Sequence, residues 1–228
     1  MKQLTDFRKI MKNMIIALPY AGGNIYSYNN FELLTIPKYY NIDRSKYNIT
    51  DIHFLVDHLI EEIIMLISEV ENYYLYGHSM GGLMAFLVCR KLQERKIRLP
   101  QKLIISGRKA PELVRTEKLS ELSDEAFLES LIPLGGIPSE LLQNKEVLDF
   151  FIPIIKYDFR ILESYNYESA TTLDIPIDVF YGSLEAEELE MTAWNKESTG
   201  KVNITILEGN HFFIYDFKEY FKEYFRNL

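Results

Sequence analysis

Apolar positions along the chain follow two alternating rhythms. Short, largely apolar runs occur as MIIALP at 14–19, YYLYG at 73–77, KLIISG at 102–107, IDVFYG at 177–182 and VNITILEG at 202–209. Each has strand length and ends on Gly or Pro, so five strands are predicted. Helical spacing fills the intervals. Between Asp51 and Glu69 apolar side chains recur at 52, 55, 56, 59, 63, 66 and 67, one face of a helix. GLMAFLVCRKLQER, directly after the second strand, and FKEYFKEYFRNL at the end of the chain read as two more helices. Buried strands alternating with helices predict an α/β fold, a mostly parallel central sheet flanked by helices.

The rhythm breaks once. Residues 110–173, between the third and fourth strands, read as helical throughout. SDEAFLESLIPL has Ser123 as an N-cap with Asp124 and Glu125 in the first turn, and SELLQ and KEVLDFFIPIIKYDFRILESY follow. A helical insertion at that point sits above the strand ends, where parallel sheets place their ligand sites. The expectation is a single domain over 1–228 with residues 110–173 forming a lid before the late strands.

Candidate chemistry centres on YLYGHSMGGLMAF, residues 74–86. A G-x-S-x-G sequence on a strand–turn–helix junction is the nucleophile elbow of α/β-hydrolases. Such a turn strains Ser79 and lifts its hydroxyl above the sheet. Gly77 and Gly81 are required because a Cβ at either would strike the neighbouring strand or helix. The amide of Met80, in the first helical turn, is then aimed at an oxyanion. A nucleophilic serine needs a base and an acid, in the chain order Ser, acid, His. His53 and His58 precede the elbow and His78 lies within it. Only His211, in LEGNHFFI, follows a late strand. A second oxyanion donor belongs to the loop after the first strand, LPYAGGN, with Ala21 the donor. Its Gly22–Gly23 pair lacks the Lys–Ser/Thr of a phosphate loop and the spacing of a dinucleotide fingerprint.

Composition narrows the function classes. The 228 residues are 47% hydrophobic and 25% charged, enough apolar material for one core. A net charge of −8 argues against nucleic acid, whose binding relies on clustered Lys and Arg, and against an anionic membrane surface. The one cysteine, Cys89, lies on an apolar helix face and reads as a small buried hydrophobe. The apolar run from Met14 to Leu18 is too short for a signal core or a membrane span, so the expectation is a cytoplasmic protein.

With those residues in place, nearly the whole chain resembles a type II thioesterase, the stand-alone α/β-hydrolase that accompanies nonribosomal peptide and polyketide synthases. ALPYAGGN resembles that family's oxyanion loop, YLYGHSMGGLMAF its elbow and LIISGRKAP the strand before its lid. LIPLGGIPSELL and IPIIKYDFRILESYNY resemble segments of the lid, and GNHFFI the histidine loop. Two phrases depart from the pattern. The family carries an Asp three residues past the Gly of the VFYG-like strand, where this chain reads YGSLEAEELEMTAW and has Glu185. A glutamate also orients a triad histidine, its loop set back to accommodate the extra methylene. Glu187 and Glu188 serve if the register differs, while Asp174 and Asp178 are less well placed. The second departure is TIPKYYNIDRSKYN, which stands where the family has a strand and a Pro-Gly-Arg phrase, a shortened sheet edge.

The resemblance implies hydrolysis of acyl or aminoacyl groups from the phosphopantetheine arm of carrier proteins through an acyl-Ser79 intermediate. It implies no metal or organic cofactor, acyl or peptidyl carrier domains as partners, and a monomer. Phe127, Leu131, Leu134, Leu141 and Phe151 are candidates to line an apolar chamber under the lid, each also readable as plain core. Arg108 and Lys109 are candidates for the arm's phosphate, or a solvated pair. The elbow alone does not separate this activity from a carboxylesterase, a product-releasing thioesterase or a carrier-binding partner without hydrolysis.

Overall fold

The computed structural model describes residues 11–31, 39–41, 49–114, 116–137, 142–169 and 171–228. Strands β1 (Met11–Leu18), β2 (Tyr39–Asn41), β3 (Val70–His78), β4 (Leu103–Ser106), β5 (Ile177–Gly182) and β6 (Val202–Leu207) form one six-stranded sheet in the order β2-β1-β3-β4-β5-β6. Every pairing is parallel. Five of these strands match the apolar runs. The sixth, β2, is the three-residue edge strand inside the shortened TIPKYYN segment, where Tyr39 to Asn41 pair with Ile15 to Ala17 of β1.

The period of two along β1 shows how the sheet separates its layers. Met14, Ile16 and Leu18 face a core shared with α1 (Ile52–Ile67) and α2 (Met80–Glu94). Ile15 and Ala17 face an aromatic core with Tyr28, Phe31, Phe213, Phe221 and Phe225. The last three belong to α6 (Phe213–Asp216) and α7 (Lys218–Arg226), at the end of the chain. Helix α1 starts at Asp51, whose Oδ1 accepts from His53 N at 2.8 Å and Phe54 N at 3.1 Å.

Helices α3 (Asp124–Leu131) and α4 (Lys145–Glu163) occupy the insertion, capped by Ser123 and Asn144. They close over a small core of their own, Leu119, Phe127, Leu131 and Ile152. The insertion is less helical than its pattern suggests. Residues 110–114 turn at Pro111 and residues 165–169 are neither helix nor strand. The physical reason is the return path to β5: Arg90 and Gln93 of α2 donate to the carbonyls of Glu168 and Thr172 at 2.9 Å each, taking backbone groups a helix needs. Most of the predicted SELLQ helix lies outside the described residues. Helix α5 (Glu188–Thr192) follows β5. No helix among the described residues is long and apolar enough to cross a membrane.

Strand β1 is flanked by β2 on one side and β3 on the other, so the connections leaving β1 and β3 diverge. A crevice opens at the carboxyl ends of two such strands. The loop after β1 and the turn after β3 meet there.

Candidate active site

Ser79 joins β3 to α2 with φ 55 and ψ −118, one of two non-glycine residues with positive φ among those described. Close packing around the turn enforces this strain. A Cβ on Gly77 would lie 2.1 Å from the carbonyl oxygen of Gly81, and one on Gly81 would lie 1.9 Å from that of Leu18 in β1. Both obstacles are backbone, so neither moves aside cheaply. The Ser79 N–H donates to Ser106 O at 2.8 Å, tying the elbow to β4. Met80 opens α2, and its N–H has no intrahelical acceptor. Across the crevice the Ala21 N–H has no hydrogen-bond partner among the described residues.

The loops after β5 and β6 are stitched together. Ser183 N donates to Leu207 O at 2.8 Å and Leu184 N to Gly209 O at 2.9 Å. This brings Glu185 against His211. Its Oε2 lies 2.5 Å from His211 Nδ1, and its Oε1 accepts the Gly182 N–H at 2.9 Å. Both side chains are nearly buried, His211 13% and Glu185 10% exposed. With Nδ1 engaged, Nε2 is the nitrogen left for the serine. Ser79 Oγ forms no hydrogen bond with the ring in this structure, a contact that commonly tightens only with substrate.

The neighbouring acids have other partners. Glu187 caps α5 in a reciprocal capping box with Glu190, and Glu188 sits exposed in that helix's first turn. Asp174 accepts from Thr199, and Asp178 from Lys102, Asn203 and Tyr224 near the start of β5. Among the histidines, His58 Nδ1 bonds Phe54 O at 2.8 Å on the α1 surface, and His53 stands beside Tyr165. His78 is fully buried, with Nδ1 2.9 Å from Ser106 Oγ and its ring centroid 4.8 Å from that of His211. Burial, reinforced by His211, holds its pKa well below the usual histidine value, so it stays neutral.

Two chambers share Ser79, His211, Leu134 and Phe159. The larger, about 620 Å³, carries Arg108, Lys109, Glu117, Glu163 and Glu190 in its wall. The smaller, about 210 Å³, is apolar, with Leu131, Leu148, Phe151, Ile152 and Ile155 against Tyr20 and Phe212. Of the residues expected to line an apolar chamber, Leu131, Leu134 and Phe151 do so. Phe127 is instead in the insertion's core, and Leu141 lies outside the described residues. Leu148, Ile152, Ile155 and Phe159 were missed, although their spacing of three and four along α4 is the signal that marks them. Lys109 pairs with Glu190 at 2.6 Å, which offsets much of its charge as an anion ligand. No cluster of three or more His, Cys, Asp or Glu suited to a metal occurs among the described residues.

The chain as a whole is similar to known proteins. Residues 13–228 match the family model described as the thioesterase domain. The gramicidin S biosynthesis protein GrsT of Aneurinibacillus migulanus is 28% identical over 219 residues, covering 91% of this chain and 85% of that protein. Among solved structures, ClbQ from the colibactin NRPS/PKS pathway is 29% identical with a TM-score of 0.83, covering 95% of this chain and 96% of that one. YbtT, a type II thioesterase from the yersiniabactin NRPS/PKS pathway, is also 29% identical, with a TM-score of 0.76 and coverage of 96% and 93%. The strained serine on its glycine-flanked turn thus sits in a chain matched almost end to end, and the protein belongs to the thioesterase domain family.

Proposed function

We propose that the protein is a type II thioesterase that clears stalled or incorrect acyl and aminoacyl groups from the phosphopantetheine arm of carrier domains. The observation that carries this reading is the meeting of two unlike chambers at Ser79. An acylated arm has an apolar or compact acyl end and a long polar tail, and the thioester joins them. The smaller chamber suits the acyl group and the larger, polar one the arm. GrsT serves gramicidin S biosynthesis, and ClbQ and YbtT belong to the colibactin and yersiniabactin NRPS/PKS pathways, which supports a carrier as partner.

In this reading His211 Nε2 takes the Ser79 proton as Oγ attacks the thioester carbonyl. Glu185 holds the ring in the tautomer with its proton on Nδ1 and stabilises the imidazolium that forms. The Met80 and Ala21 amides stabilise the oxyanion, each worth about 10²–10³ in rate. The imidazolium protonates the departing thiol. His211, now neutral, deprotonates a water that attacks the acyl-Ser79 carbonyl, and the imidazolium so formed returns the proton to Ser79 Oγ as the free acid leaves, which restores the enzyme. The missing Asp suggests a carrier-binding partner without hydrolysis, and Glu185 at 2.5 Å from His211 supports hydrolysis over that reading. The enzyme in this account acts in the cytoplasm as a monomer, with no metal or organic cofactor of its own.

Intact mass measurement of acetyl- and aminoacyl-loaded carrier protein tests the proposal. Wild type is expected to remove the acyl mass, and Ser79→Ala to slow removal by roughly 10⁴-fold or more. A wild type that leaves loaded carrier intact while cleaving small oxyesters would sink the carrier reading and leave a carboxylesterase.

A further inference from the structure

We infer that Asp158, on insertion helix α4, is a positioning residue for the oxyanion loop; the inference rests on the Ser79 thioesterase reading above. Asp158 is 4% exposed, and its Oδ2 accepts the Gly22 N–H at 2.6 Å across 136 positions of sequence. The same helix touches the same glycine a second way. Gly22 has φ 77, and a Cβ there would lie 2.7 Å from Ile155 Cγ1. Ile155 and Asp158 are three residues apart, hence on one face of α4. Gly22 is therefore both a left-handed turn residue and the point where α4 closes onto the backbone beside the nucleophile.

This grip selects and aims the oxyanion donor. Asp158 takes the Gly22 N–H and Tyr20 O takes the Gly23 N–H at 2.9 Å, so the Ala21 amide is left for substrate. The other flank of Ala21 is held from the histidine side: the Tyr20 hydroxyl bonds Tyr215 at 2.5 Å, and Tyr215 donates to Ser27 O at 3.0 Å. Ala21 is suspended between two anchored neighbours, one on the insertion and one on the helix that follows His211. The bond to Asp158 fixes the Ala21–Gly22 peptide and the Tyr20 O bond to Gly23 fixes the Tyr20–Ala21 peptide, which carries the Ala21 N–H, so the two planes on either side of Ala21 are held together. The insertion thereby reaches the chemical step itself, in addition to walling the chambers. Donor alignment acts on the tetrahedral oxyanion and barely on the ground-state carbonyl, so its loss appears in kcat rather than in KM.

The experiment compares wild type, Asp158→Ala and Asp158→Asn in the full chain. It reads turnover of an acetyl-pantetheine thioester together with inhibition by two analogues of it. One is a trifluoromethyl ketone, which forms a tetrahedral adduct on Ser79 and needs the oxyanion hole. The other is a thioether, which only fills the chambers. Asp158→Ala is expected to lower kcat by on the order of 10- to 100-fold and to weaken the ketone by the same factor, with KM and thioether affinity unchanged. Asp158→Asn keeps an acceptor oxygen for Gly22 and should retain turnover close to wild type. Thermal melting of each variant separates lost alignment from lost fold. Wild-type kcat in Asp158→Ala would overturn the inference, as would a loss of activity matching the loss of folded protein. Equal weakening of both inhibitors would also overturn it, because that signature belongs to chamber shape. The parent is measured first: an inactive wild type counts against the thioesterase reading, whereas an active parent with an indifferent Asp158→Ala counts only against Asp158.

Discussion

The elbow and the insertion are held by different kinds of force. At the elbow, Gly77, Gly81 and Leu18 meet through backbone atoms, and Ser79 is strained because nothing around it is free to yield. In the insertion, α3 and α4 meet through side chains over a four-residue core, and α4 leaves Phe150 and Ile154 exposed. Backbone contact tolerates almost no substitution, whereas side-chain packing repacks. In the proposed function the chemistry therefore stands on the part of the molecule least able to change, and substrate fit on the part most able to.

The sharpest way to break this contrast is Gly81→Ala. Its Cβ would overlap the Leu18 carbonyl, so the elbow and β1 must part. A loss of roughly 3 kcal/mol or more is expected, seen as insoluble protein or a large drop in the urea midpoint. A soluble, active Gly81→Ala would show that the elbow is softer than its geometry implies. Glu185→Gln comes next. It keeps the shape of the loop but favours the wrong His211 tautomer, and a fall in kcat of roughly 10³-fold is expected with little change in melting temperature. Activity within a few-fold of wild type would mean that the carboxylate does not orient the base.

On the insertion side, Phe151→Ala should enlarge the smaller chamber at a residue already 42% exposed. The melting temperature should hardly move, while the ratio of kcat/KM between a longer and a shorter acyl thioester rises by about 10-fold. An unchanged ratio would remove the acyl group from that chamber. The smallest expected effect belongs to His78. Its folded-state pKa is lowered by burial, so the unfolded chain binds the extra proton first. The stability this histidine confers is complete above about pH 6.5 and falls as pH drops below it, by up to about 1.4 kcal/mol per pH unit. Denaturant melts between pH 7 and 5 should show a shallower decline for His78→Gln than for wild type. Parallel declines would mean that His78 takes up a proton as readily in the fold as in the unfolded chain.

The same contrast explains what was legible in the sequence. The elbow could be read because a backbone constraint leaves local marks: two glycines at fixed offsets from a serine, between a strand and a helix. His211 was legible by elimination, being the one histidine after a late strand. Glu185 was not legible from local pattern. EAEELE offers four glutamates in six positions, and what separates Glu185 and Glu190 is a long-range partner, His211 for the one and Lys109 for the other, while Glu187 caps its own helix. Resemblance to the family singled it out where periodicity did not. Edge strand β2 was missed because three residues carry no period. Asp158 was missed because its partner is a backbone amide 136 residues away, a contact no residue type announces.

Rapid-quench intact mass measurement of the enzyme during turnover of an acyl-pantetheine thioester tests the central claim most directly. The account predicts that the chain gains the acyl mass on the peptide containing Ser79, that Ser79→Ala never gains it, and that any base-impaired variant passes through the same species. Consumption of the thioester by wild type with no acylated enzyme at any quench time, and undiminished consumption by Ser79→Ala, would contradict it.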